Sequence, residues 1–303
     1  MNRISLIFLA LFVSSCINDN SEKAIIDFGD GSAKSKEGFV EETSEIYIAI
    51  ASMTSPKETV IYYNNLIDHI SEKLDVPIFI KQKKTYQEVN SLLKSGEVDF
   101  AFICSGAYVE QNKNIQILVV PEIDGKTDYN AYIIAQKDSE IETFLDFKGA
   151  SFAFTDPLSN TGRLYPLKEL AKLSVKEDSF FKKTIYTYGH DISIQMVNRG
   201  IIDGASVHGI IFDYIALHHP ERVANIKIIE KSENFGMPPV VVPNSLSKEK
   251  FLMYQSAFLK LHEDSLGLSI LEKLGIDKFT IVDESIYKSV FSLKELIEYE
   301  QVK

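Results

Sequence analysis

Residues 151–173 read SFAFTDPLSNTGRLYPLKELAKL: a short apolar run, a polar loop, then apolar residues at helical spacing. A buried strand that passes through a loop straight into a helix is the building unit of an α/β fold. The loop groups Ser159, Asn160, Thr161 and Gly162 at the strand-to-helix junction. Ser, Asn and Thr all favour the position before a helix, so a turn with a cap accounts for them. The same residues also make a cradle for an anion. A helix N-terminus leaves backbone N–H groups unpaired and carries partial positive charge. Gly162 lets an anion approach the backbone, Ser159 and Thr161 add hydroxyls, and Asn160 adds an amide. On this stretch alone both readings stand.

The alternation continues on either side. Strands are predicted at IYIAIA (46–51), PIFIK (77–81), VDFAFI (98–103), IQILVV (115–120) and YNAYIIAQ (129–136). It restarts with SFAF and continues through TIYTY (184–188), DGASV (203–207) and PVVVP (239–243), with VANIKIIEK (223–231) lying before the last of these. Helices are predicted from Pro56, over TYQEVNSLLKSG (85–96), from Thr161 to Leu173, from Asp191 to Arg199, over IIFDYIALHH (210–219) and through the C-terminus. The pattern predicts an α/β fold of mostly parallel sheets with covering helices. Two such units give two lobes and a ligand cleft between them. Residues 45–134 and 237–303 form lobe 1 and residues 135–236 form lobe 2. The chain crosses near Ile133–Gln136 and Asn234–Pro239. Ligands of open α/β sheets sit beyond the carboxyl ends of the strands, which points to the loops after them.

The first sixteen residues, MNRISLIFLALFVSSC, differ from the rest. One positive charge, an apolar run and small residues form a secretory signal. The run is far shorter than the roughly 20 residues of a membrane-spanning helix. Cys16 directly after Ser14 and Ser15 resembles the lipidation site of a bacterial lipoprotein; an ordinary signal peptide is the other reading. Residues 17–44 are polar and acidic with little periodicity, and read as a flexible tether. An exported chain anchored to a membrane and facing the periplasm or cell exterior is expected. Cys104, the only other cysteine, reads as a small buried apolar residue.

A formal net charge of −11 argues against nucleic acid or an anionic membrane surface as partner. With no Trp in the chain, any aromatic surface in a ligand site comes from Tyr or Phe. The loops after the strands supply Thr54, Ser105 and His190, and Tyr86 and Tyr129 begin a helix and a strand. Each has an ordinary reading as a cap or packing residue. The six histidines have no metal-ligand spacing, and neither a GxSxG nor a P-loop motif is present. No enzyme, metal or cofactor is predicted.

The order of these segments resembles the phosphate/phosphite/phosphonate-binding lipoproteins of ABC transporters, which have the type 2 periplasmic binding protein fold. It is carried by TYQEVNSLLKSGEVDFAFICSGAYV, TDYNAYIIAQKDSEI, LDFKGASFAFTDPLSNTGRLYP, YGHDISIQMVNRGIIDGASV and MPPVVVPNSL. The resemblance implies that Ser159, Asn160 and Thr161 form the oxyanion loop and that Tyr86, Tyr129 and His190 contact the ligand. It implies capture of a phosphorus oxyanion by a monomer and delivery to a permease and ATPase complex; presentation to a signalling receptor is the alternative. Asn160 departs from the family's usual hydroxyl residue. No carboxylate clearly matches those that pair with the amine of aminophosphonates; His208 and Asp213 are nearest. A ligand without a primary amine is therefore expected.

Overall fold

Ile46, Ile48 and Ile50 point to one side of the first strand and Ala49 to the other, the two-residue period of a pleated strand. Both sides are buried, so this strand lies inside a sheet covered on both faces. The computed structural model describes residues 45–302. The expected signal, Cys16 and the tether lie outside the described residues. Among those described, no helix is long and apolar enough to cross a membrane.

A first pass of the chain runs β1 (Ile46–Ile50), α1 (Pro56–Leu74), β2 (Ile78–Gln82), α2 (Tyr86–Ser95), β3 (Phe100–Phe102), α3 (Ser105–Gln111) and β4 (Ile115–Glu122). Strand β5 (Asp128–Tyr129) leads into a second pass: β6 (Ala131–Gln136), β7 (Ser151–Phe154), α4 (Tyr165–Lys172), α5 (Glu177–Phe180), β8 (Lys183–Tyr186), α6 (His190–Asn198), β9 (Gly204–His208), α7 (Gly209–His218) and β10 (Ile226–Lys231). The return holds β11 (Phe235–Gly236), β12 (Val240–Pro243), α8 (Lys248–Leu259), α9 (Ser265–Leu274), β13 (Lys278–Thr280) and α10 (Lys288–Val302). One sheet has the order β13-β4-β12-β3-β1-β2 and the other β10-β6-β9-β7-β8. Between them β5 and β11 pair antiparallel, with Tyr129 opposite Phe235.

The α/β class holds, but the sheets are mixed rather than mostly parallel. β1 runs parallel to β2 and β3, and β7 parallel to β8 and β9. β12 is antiparallel to β3 and β4, and β6 to β9 and β10. The reason lies in the crossings: β6 and β12 each arrive from the other sheet and enter their own from the opposite end. The second sheet also begins earlier than the sequence boundary, because Ala131 already pairs with His208. The apolar run 129–136 concealed the break at Asn130. The C-terminal helix is not confined to the first unit: α10 packs on α3, α4 and β11.

A π-helical turn, Asn160–Leu164, precedes α4, so the helix predicted from Thr161 starts differently. Leu164 and Tyr165 donate their N–H groups five residues back, to Ser159 and Asn160. Pro166 has no N–H to give to Gly162, and the Gly162 carbonyl accepts the Thr155 N–H instead. The loop is thereby tied back on the end of β7. Beneath it Phe144, Phe147, Phe152, Phe180 and Phe181 pack as one aromatic cluster, with Phe152 stacked on Phe181 at 4.7 Å. That packing fixes the strand from which the loop springs.

Candidate ligand site

The ends of β1, β3 and β7 and the starts of α2, α3 and α6 meet along the seam between the sheets. From the second sheet comes the π-turn. Ser159 Oγ accepts the Gly162 N–H at 3.0 Å, so Ser159 does cap the turn. Ser159, Asn160 and Thr161 are fully buried. Gly162 is obligatory here, because a Cβ would stand 1.4 Å from Thr155 Oγ1. Arg163 points away: its guanidinium pairs with Glu177 at 3.0 Å and lies over the Phe154 ring.

α3 meets this loop head-on from the first sheet. A Cβ on Gly106 would come within 2.3 Å of the Leu158 carbonyl and 2.8 Å of the Asn160 N, so glycine permits the approach. Asn160 N–H reaches Cys104 Sγ at 3.5 Å. Ser105 Oγ and Tyr129 Oη share a hydrogen bond of 2.8 Å, and Asn160 Nδ2 donates to Tyr129 Oη at 3.3 Å. Cys104 is thus buried as expected, but also accepts a bond from the loop.

Thr85 starts α2 through a reciprocal cap with Glu88. This aims the Tyr86 N–H at Asp156 Oδ2, 3.1 Å away across the seam. The Tyr86 phenol is buried beside Cys104, Tyr129 and Ser159. Burial pushes its pKa well above the ordinary value, as it does for Tyr129, so both stay neutral donors.

Tyr188, in the left-handed region at φ 58°, turns the chain from β8 into α6 and delivers His190 to the seam. His208 N–H donates to His190 Nδ1 at 3.1 Å. Nδ1 therefore carries no proton, and the proton of the neutral ring sits on Nε2. The His208 ring stacks on Tyr129 with centroids 4.2 Å apart. Burial, then the neighbouring His208, holds the His190 pKa well below its usual value; burial lowers that of His208 to about 3. Both rings are neutral at physiological pH.

Further contacts join the two sides. Asp191 Oδ1 accepts the Ser55 N–H at 2.8 Å, His190 N–H donates to the Met53 carbonyl at 2.9 Å, and Lys84 Nζ lies 4.7 Å over the Tyr188 ring. Asp156 accepts the Leu158 N–H at 2.8 Å in its own turn and Asp191 sits in the first turn of α6, and both also bridge the seam. This is a closed arrangement. Within it Tyr86 Oη, Asn160 Oδ1, Thr161 Oγ1, His190 Nε2 and His208 Nδ1 are buried without a hydrogen-bond partner among the described residues. A buried polar group left unmatched costs about 1–3 kcal/mol, so their grouping at one seam marks a place for a polar ligand.

The structure brings together Tyr86, Ser105, Tyr129, Ser159, Asn160, Thr161 and His190. Thr54 is half-buried in the cleft wall beside Met53 and is not among the buried groups of this network. His208 belongs to it more closely than the sequence implied, whereas Asp213 is exposed and accepts the Tyr132 hydroxyl at 2.8 Å. His208 followed a strand and preceded a helix, the same signal that exposed His190, but no single-residue pattern distinguished it.

The sequence profile of the family described as "ABC transporter, phosphonate, periplasmic substrate-binding protein" matches residues 48–287. The phosphonates-binding periplasmic protein of Escherichia coli (strain K12) is 24% identical over 245 residues, 78% of this chain and 71% of that protein. A probable ABC transporter phosphite-binding protein of Prochlorococcus marinus (strain MIT 9301) is 22% identical over 176 residues, 55% of this chain and 59% of that protein. Among solved structures, a binding protein component of an ABC phosphonate transporter from Pseudomonas aeruginosa has a TM-score of 0.80 at 23% identity, covering 85% of this chain and 87% of the other. A Prochlorococcus marinus protein solved with methylphosphonate has a TM-score of 0.76 at 16% identity, covering 84% of this chain and 99% of the other. The fold is that of a type 2 periplasmic binding protein.

Proposed function

Because this chain belongs to the periplasmic substrate-binding proteins of phosphonate ABC transporters, we propose that its seam network captures a phosphorus oxyanion and presents it to a transporter in closed form. The single observation that carries this reading is the group of unpartnered buried polar atoms around Tyr86, Thr161, His190 and His208. Tyr86 Oη–H, Thr161 Oγ1–H and His190 Nε2–H donate to the phosphoryl oxygens. Helix geometry adds the Thr161 N–H, which has no carbonyl behind it in its own turn. Each charge-assisted bond contributes about 1.5–3 kcal/mol, so four of them gross about 6–12 kcal/mol, comparable with the roughly −8 kcal/mol of micromolar affinity before the costs of ordering and closure are subtracted. No Lys or Arg is needed. The ligand pulls the two sides together, and the β5–β11 ribbon is the hinge on which they turn. Phosphonate, phosphite and phosphate all present the oxygens this donor set fits.

The protein acts as a monomer held at the membrane by lipid on Cys16, a reading supported by the apolar run and small residues of MNRISLIFLALFVSSC. Replacing Cys16 with Ser should release it from the membrane fraction.

A thermal-shift panel of phosphate, phosphite, methylphosphonate and sulfate tests the binding. A ligand at one hundred times its Kd stabilises the fold by about 2.7 kcal/mol. At least one phosphorus oxyanion should raise Tm by several degrees with sulfate inert. No shift with any of them contradicts the reading.

A further inference from the structure

We propose that the site takes its ligand as the singly charged, still protonated oxyanion, and that Asn160 reads the remaining proton. The proposal rests on the oxyanion reading above and concerns the proton state in which that same site holds its ligand. The buried atoms without a partner are not all donors. Tyr86 Oη and Thr161 Oγ1 can donate and His190 Nε2 carries a proton, but Asn160 Oδ1 can only accept. The amide is oriented from its other end. Nδ2 donates to Tyr129 Oη at 3.3 Å, and Tyr129 Oη shares a second bond with Ser105 Oγ at 2.8 Å. That leaves the side-chain carbonyl oxygen buried, between Ser159 and Thr161 in the chain, with nothing to accept. A fully ionised phosphorus oxyanion has only lone pairs to set against it. A singly protonated one has a P–O–H that donates to it, while its other oxygens take the Tyr86, Thr161 and His190 donors.

The charges around the seam favour the same form. No Lys or Arg is among the buried residues described. Arg163 is turned to Glu177, and Lys84 lies over the Tyr188 ring. Asp156 and Asp191, both buried, add negative charge. A buried dianion costs more to desolvate than a monoanion, and no buried cation offsets the difference. Around the loop stand the Cys104 thiol at the head of α3 and the phenols of Tyr86 on α2, Tyr129 on β5, Tyr165 on α4 and Tyr287 just before α10. Burial raises all of them above their ordinary values of 9 for the thiol and 10 for the phenols. His190 and His208 are held below 6.5, also by burial. These groups keep their neutral forms through the range in which a phosphorus oxyanion loses its second proton. Asp156, raised by burial, is the carboxylate beside them, and it accepts the Leu158 and Tyr86 N–H groups.

Calorimetry of the native protein between about pH 5.5 and 8.5, with phosphite, methylphosphonate and sulfate, decides it. Kd for total ligand should be flat below the ligand's second ionisation and rise about tenfold per pH unit above it. It should level off about 10- to 100-fold weaker, the cost of leaving one buried acceptor unmatched. The electron-releasing methyl group places the second ionisation of methylphosphonate above that of phosphite, so its rise should begin at higher pH by the same interval. Sulfate, which has no proton to give, should stay unbound throughout. Asn160→Ser puts a hydroxyl, able to donate, in place of the acceptor, and the rise should shrink to under about threefold. A Kd that stays flat or falls with pH overturns the proposal and leaves the oxyanion network standing. A rise at one common pH for both ligands overturns it too, since a protein group is then titrating. An undiminished rise in Asn160→Ser overturns the role of Asn160. Failure of both phosphorus ligands to bind at every pH overturns the oxyanion reading itself. The native profiles separate these outcomes even if Asn160→Ser does not fold.

Discussion

His208 donates its backbone N–H to His190 Nδ1 at 3.1 Å, and that bond decides what His190 can do. With Nδ1 an acceptor, the neutral ring has one donor left, Nε2–H, and this atom is buried without a partner. An oxyanion is the complement it lacks. His190→Ala should therefore weaken binding of methylphosphonate by about 10- to 100-fold, the equivalent of one charge-assisted hydrogen bond. Calorimetry on the variant checks it. Unchanged affinity would mean that Nε2 faces no ligand.

Neutral, buried His190 and His208 also make stability depend on pH. Their folded-state pKa values are depressed below 6.5, to about 3 for His208. Above pH 6.5 neither state binds the proton and there is no effect. Below it the unfolded chain takes up protons that the folded chain refuses, so stability falls with acid. The slope is about 1.4 kcal/mol per pH unit for each ring, running from pH 6.5 down towards 3. Denaturant melts of the ligand-free protein at pH 7 and pH 5 should show the loss. His208→Gln should remove about half of it.

Gly106 should govern closure rather than folding. It lies opposite the Leu158 carbonyl and Asn160 N, where a Cβ finds no room. Gly106→Ala should weaken ligand binding by more than about tenfold, since the clash exists only when the two sides meet. Its ligand-free Tm should remain within a few degrees of native. A variant that binds normally would show that the closed contact is not required.

Asp191 holds the opposite edge of the seam through the Ser55 N–H. Asp191→Ala removes a hydrogen bond to a charged group, worth about 1.5–3 kcal/mol, and shifts the population towards the open form. Solution scattering should show a larger radius of gyration than native at subsaturating ligand. Saturating ligand should restore the closed value. Equal radii at every ligand concentration would rule out a closing role for this carboxylate.

Much of this was legible in the sequence. The SFAF strand, the SNTG loop and the helix behind it announced an α/β junction, and the loop is indeed buried at the seam. Ser159 caps its turn as its residue type predicts, and the neighbouring hydroxyl and amide face the network. What escaped the sequence is what depends on the other half of the molecule. Strand direction in β6 and β12 follows from the crossings, which local patterning does not encode. Asp156 and Asp191 look like ordinary turn and helix-start residues until the Tyr86 and Ser55 N–H groups arrive from about 70 and 136 residues away. The π-turn follows from Pro166 and from Thr155 meeting Gly162, a pairing of two loop ends. His208 gains its place only when β9 pairs beside β6 and sets its ring on Tyr129.

The most direct measurement is the affinity of Thr161→Val for methylphosphonate by calorimetry, paired with the melting curve of the free variant. Valine keeps the shape of threonine and removes the buried Oγ1, which has no partner in the protein among the described residues. The free variant should therefore melt at the native temperature or above it, because an unmatched hydroxyl has been taken out of the interior. Its affinity should fall at least about tenfold, or 1.4 kcal/mol. Native affinity in a normally folded Thr161→Val would contradict the assignment of the π-turn as the oxyanion site.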